Sequence, residues 1–268
     1  MTEAEQARAD AGERFVRAVR SLADPHVRLS YVLTHVRDLP PERLAPVLDE
    51  VCARAEQADP AAREVLVSIL DAAREPGVAD AVQRLREEAV GEALVALERA
   101  LRNPMLGRSS ALPEDPDEDR VPDYGRGRPL TLGERKSLAR RPDRAMMERL
   151  VRDPHPAVIE RLLVNPKLTE DDVLTMVVKR PARPDVLSQI ARSTRWIHRP
   201  RIRRALVLNP DTPTEISGPI CGLLLRQELR LVIQATHVPP SIRALCMEHL
   251  ERRPPSEDNP DVDDVPLQ

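Results

Sequence analysis

The stretch from Leu150 to Ile216 constrains the fold more than any other part of the chain, because it makes nearly the same statement twice. The first pass, LVRDPHPAVIERLLVNPKLTEDDV, runs from Leu150 to Val173, and the second, IHRPRIRRALVLNPDTPTEI, from Ile197 to Ile216. In each, a proline opens a short amphipathic segment, Asn-Pro closes it, and Thr with acidic residues opens the next. Asn165-Pro166 returns as Asn209-Pro210, 44 residues later. That period holds two helix-turn units of about 22 residues each. Such a chain is expected to be an array of short helices, each burying its apolar face on its neighbours.

Aromatic residues are only 1% of the chain, so Leu, Val, Ile and Ala must fill the interior. That suits packed helices better than sheets, where aromatic and β-branched residues are enriched. The 27 prolines against nine glycines agree, since most prolines sit where helices are expected to start. The expected fold class is all-α: an α-solenoid of short helical repeats preceded by an N-terminal helical domain.

In chain order, residues 1–104 read as about six helices. Their apolar faces are marked at spacings of three and four by groups such as Leu44, Val47, Leu48 and Val51. Asp24-Pro25 and Asp59-Pro60 write helix starts, a capping carboxylate followed by a residue with no N–H to satisfy. Asp24-Pro25-His26 also matches Asp153-Pro154-His155, which suggests that this half is a worn copy of the second. Residues 105–130 carry Pro, Gly and charge with little to bury and are expected to be an acidic flexible linker. Thr131 and Glu134 then form a capping box, and 131–253 is the expected solenoid. Residues 254–268 revert to the composition of a disordered acidic tail. Charge is segregated along this plan, with a net +11 over 124–253 against −5 for the tail.

The run of aliphatic residue, Arg-Asp-Pro, Val, Leu, Asn-Pro, Thr and acid resembles the leucine-rich repeat variant family and, more loosely, HEAT-like α-solenoids. The resemblance covers Arg135 to about Arg252. It implies alternating α and 3₁₀ helices stacked in a curved superhelix. Some members carry a cysteine-bound iron–sulfur cluster, but Cys52, Cys221 and Cys246 are scattered here, so the resemblance carries over no cofactor. The segment 180–198 departs from the family pattern, with an extra Arg-Pro and the turn Ser-Thr-Arg-Trp-Ile-His.

The sharpest candidate site is a basic run of Arg192, Arg195, Arg199, Arg201, Arg203 and Arg204, with Trp196 inside it and no acid from Ser193 to Pro210. Guanidinium groups beside an indole can pair with carboxylates or phosphates and stack on planar groups. The bland alternative is a solvated helix face, since the arginines spread around the helix and Lys occurs only at 136, 167 and 179. Glu170, Asp171 and Asp172 read as first-turn acids opposing the helix dipole. Cys246 and His249 share a helix face but lack further metal ligands nearby in sequence. Tyr124-Gly-Arg-Gly-Arg128 is similar to the Gly-Arg tracts that bind RNA, though it occurs once.

No Gly-rich phosphate loop, HExxH or GxSxG is present, so no catalytic, cofactor or metal residues are expected. The expected function is therefore a non-enzymatic scaffold that binds a protein with an acidic surface. The alternative is a nucleic-acid-binding helical repeat using Arg192 to Arg204. No stretch approaches the apolar length of a membrane span, and the start MTEAEQARADAGER has no signal-peptide core, so a cytoplasmic protein is expected.

Overall fold

The computed structural model describes residues 3–102, 121–125, 127–141 and 143–253. The tail 254–268 and most of the expected linker lie outside the described residues. Over the described residues the fold is all-α, with no strand. Helices α1 to α6 span Glu3–Ser21, Pro25–Asp38, Pro41–Glu56, Pro60–Ala72, Ala79–Gly91 and Val95–Leu101. After them come α7 (Leu132–Ala139), α8 (Arg144–Leu150), α9 (Pro156–Leu163), α10 (Glu170–Val178) and α11 (Pro184–Arg192). The series ends with α12 (Thr194–Ile197), α13 (Pro200–Leu208), α14 (Thr214–Cys221), α15 (Arg226–Gln234) and α16 (Pro240–Arg252).

These helices form two compact units, and the division differs from the one expected. The first unit holds the described residues up to Arg102 together with Gly218–Thr236 and those from Pro240 to Arg253. The second holds the described residues from Val121 to Ser217 and the short stretch His237–Pro239. The 131–253 array is thus shorter than expected, and 1–104 is not a unit by itself. Side chains of the N-terminal helices explain why: Arg63 donates to the Leu223 carbonyl at 2.5 Å, and Arg102 pairs with Glu248 at 3.1 Å.

Within the first unit α3 is the central helix, packed by α1, α4, α5 and α6. Its Leu44, Leu48, Val51 and Cys52 are almost completely buried, an arrangement worth on the order of 2 kcal/mol per large side chain. The expected caps are present. Asp24 accepts from the His26 N–H at 2.7 Å, and Asp59 from Ala61 and Ala62 at 2.8 and 3.2 Å.

In the second unit the two passes of the repeat make the same contacts. Pro156 and Pro200 are the first residues of α9 and α13. Val158, Leu162 and Leu163 are buried on one helix, and Ile202, Leu206 and Val207 occupy the matching places on the other. Asn165 is buried after α9, and its amide donates to the carbonyls of Ala139 and Arg141 at the end of α7, at 2.8 and 2.9 Å. Asn209 does this for α10, donating to Val177 at 2.6 Å and Lys179 at 3.3 Å. Each Asn oxygen also accepts the N–H two residues on, from Lys167 and Asp211 at 3.0 and 2.9 Å.

Thr131–Glu134 and Thr169–Asp172 both form capping boxes. The buried Thr212 hydroxyl donates to the Leu206 carbonyl at 2.6 Å. The match between Asp24 and Asp153 is local. Asp153 accepts the His155 N–H at 2.9 Å as Asp24 does that of His26, but His155 itself is the N-cap of α9, so the helices start in different registers.

Replacing Asn165 or Asn209 with Ala is expected to destabilise the protein by about 3 kcal/mol, because buried helix-end carbonyls lose their donors. Asn165→Asp keeps the acceptor for Lys167 but has no N–H to give, and should be at least as harmful. Urea melts would check this through the midpoint. An Asp variant as stable as the native chain would show that the amide donors do not matter.

Candidate functional site

The basic run divides into side chains engaged in the fold and side chains facing solvent. Trp196 is 3% exposed, and its indole Nε1 donates to the Leu163 carbonyl at 2.9 Å. Arg195 lies over that ring at 4.5 Å and donates to the carbonyls of Asn165 and Leu168 at 2.9 and 3.2 Å. Trp196 thus closes the carbonyl end of α9, and Arg195 holds the loop that leads on to α10. Their place in the irregular segment 180–198 is therefore that of a cap. Arg203 donates to the Ile197 carbonyl at 3.0 Å, and Arg201 reaches Asp171 at 3.0 Å on the surface. Arg204 is half-buried with interactions of its own. Arg192 and Arg199 are exposed and have no side-chain partner among the described residues.

A second basic site was not evident from sequence. Residues Pro122 to Gly125, placed in a flexible linker by composition, are seated on the second unit. Tyr124 is buried, and its hydroxyl donates to Asp153 at 2.5 Å. Asp153 also receives the buried Arg135 guanidinium at 3.0 Å. Burial, then the hydrogen bond to Asp153, push the Tyr124 phenol well up. Gly125 follows with φ +68°, and a Cβ there would come within 2.6 Å of Arg149 Nη1. Both glycines of the Gly-Arg-Gly motif have positive φ, which gives them a reason in backbone geometry, and Arg128 of that motif pairs with Glu134.

This seated segment walls an open groove. Arg149 donates to the Asp123 carbonyl at 3.0 Å and stands between two adjoining depressions of about 440 and 770 Å³. Both share Arg149 and Arg152, and the larger is also lined by Val151, Thr175 and Lys179. Arg152 and Lys179 are exposed and have no side-chain partner among the described residues. Only the repeat grammar hinted at them: each is the first cation beyond the end of its helix, α8 or α10.

The remaining candidates are structural. Asp172 is the capping-box acid of α10 and takes a two-pronged contact from Arg144 at 2.6 and 2.8 Å. Burial would raise its carboxyl, but Arg144 and Thr169 bring it down to about 2. Cys246 hydrogen-bonds Cys221 in the interior of the first unit, and that bond, then burial, raise the Cys221 thiol. Among the described residues no group of three or more His, Cys, Asp or Glu is placed to hold a metal, and no helix is long and apolar enough to cross a membrane. His249 is buried near Arg99, which is bound through both prongs to Glu56 at 2.8 and 3.2 Å. Comparison with known proteins gives no significant match to a family model, a curated protein or a solved structure.

Burial, then the charges of Arg253 and Arg99, lower the His249 imidazole to about 3. Below about pH 6.5 the unfolded imidazole takes up a proton that the folded one refuses until about pH 3, so protonation favours unfolding. Stability is expected to fall by about 1.4 kcal/mol per pH unit through that window on account of this one group. His249→Asn should flatten the decline by that amount in melts recorded between pH 6.5 and 4. Parallel curves for the two proteins would contradict it.

Proposed function

We propose that this chain is a non-enzymatic scaffold, in which an α-solenoid-like second unit holds a protein partner by an acidic surface. The observation that supports this best is the remainder left when the fold's own use of cations is subtracted. Arg195 and Arg203 close carbonyls, Arg135 neutralises Asp153, and Arg144 is bound to Asp172. Arg152, Lys179, Arg192 and Arg199 are among the cations that remain exposed and unengaged on that unit. Exposed cations on a rigid helical frame favour an acidic partner chiefly through association rate and register. The nucleic-acid alternative is weakened by Trp196, because an indole closing a helix end has no free face for a base to stack on.

A fluorescein-labelled peptide rich in Glu and Asp, a DNA duplex and a single-stranded RNA, each titrated with the full chain over a range of salt, separate the readings. Saturable peptide binding that weakens with salt, with neither nucleic acid bound more tightly, is the expected result. Tighter nucleic-acid binding with a steep salt slope would favour the alternative.

A further inference from the structure

We infer that the groove between α8, α10 and the seated segment Pro122–Gly125 is the docking site, and that its occupant is an extended acidic segment of a protein partner. The inference rests on the scaffold reading and adds the place and the form of contact. Both depressions have the size of ordinary ligand clefts, and together they continue past Arg149 on either side. Their walls are mixed in a way that suits a peptide. Arg152 and Lys179 supply free charge, Ala145, Met146 and Val151 supply apolar floor, and Thr175 supplies a hydroxyl.

Arg149 is fixed by the Asp123 carbonyl and by contact with Gly125, so its guanidinium stands ready without further ordering. Guanidinium groups bind carboxylates through two parallel hydrogen bonds, which gives register as well as attraction. Two acids, Asp123 and Glu148, share the lining with three cations. That excess is too small to follow a nucleic-acid backbone, where affinity grows with the number of phosphates neutralised. The two unengaged cations, Arg152 and Lys179, suit two carboxylates spaced along a strand-like peptide. An extended chain advances about 3.3 Å per residue, so alternate side chains can meet the basic wall while the others face the apolar floor.

The test uses the same labelled acidic peptide and the full chain. The double variant Arg152→Glu with Lys179→Glu should weaken binding at least about tenfold at low salt, since each reversed charge replaces attraction by repulsion. Thr175→Trp, which fills the groove without changing charge, should also weaken it severalfold. Arg192→Glu with Arg199→Glu, outside the groove, should weaken it several-fold less than the groove reversal does, and Arg152→Lys with Lys179→Arg should retain it. Melting temperatures identify any variant that fails to fold, and the lysine–arginine exchange then carries the comparison. Binding that survives both the charge reversal and Thr175→Trp, but is lost on reversing Arg192 and Arg199, overturns the groove and leaves the scaffold. No binding of the acidic peptide at low salt overturns both.

Discussion

An α-helix leaves four N–H groups at one end and four carbonyls at the other without partners inside the helix. In a long helix these are a minor fraction, but α7 to α11 span only seven to nine residues each. About half of the backbone N–H and C=O groups in such a helix are therefore terminal, and burial of the ends obliges side chains to complete them. Asn165 and Asn209 answer that demand at the carbonyl ends of α7 and α10. Thr131 and Thr169 answer it at the N–H ends of α7 and α10. Proline at the first position of α9, α11 and α13 lessens it by bringing no N–H. The motif that repeats along the sequence is thus a set of helix terminations more than a pattern of hydrophobic residues.

The same demand accounts for the preponderance of arginine over lysine. Arg63, Arg86, Arg180, Arg195, Arg203, Arg226 and Arg253 all donate to backbone carbonyls. A guanidinium carries five donors on a rigid fork and stays charged when half-buried, so it can span two helix-end carbonyls as an ammonium cannot. Arg226 does so at the end of α16, where it reaches the carbonyls of Leu250 and Arg253. Much of the net positive charge of this region therefore belongs to the fold. What remains for recognition is smaller.

The fold class and helix positions were legible because capping residues and apolar spacing are local. Short helices were expected after residue 131 and α7 to α16 are short helices, but α12, a single turn in the irregular stretch around Trp196, was not foreseen. The attachment of α15 and α16 was not legible. It depends on contacts such as Arg102 with Glu248, between residues far apart in the chain and each ordinary in its own helix. Tyr124 was misread for a related reason. Its neighbours have the composition of a linker, and one aromatic anchored on Asp153 outweighs them. Arg195 and Trp196 were noticed for ion pairing and stacking, but the guanidinium and the indole N–H are both taken up by the chain's own carbonyls.

The asparagine clamp reaches backwards, from the end of one helix to the end of a helix that precedes it by a full step. The ends of α7 and α10 are thus finished only by residues that come later in the chain. Leu208, at the end of α13, is completed in another way. Its carbonyl is met by Arg180, with the His237 imidazole 3.1 Å away, and residues His237–Pro239 belong to this unit although the helices on either side of them do not. A stretch of three residues, on loan from a part of the chain that otherwise folds elsewhere, thus completes a helix end that its own neighbours in sequence leave open.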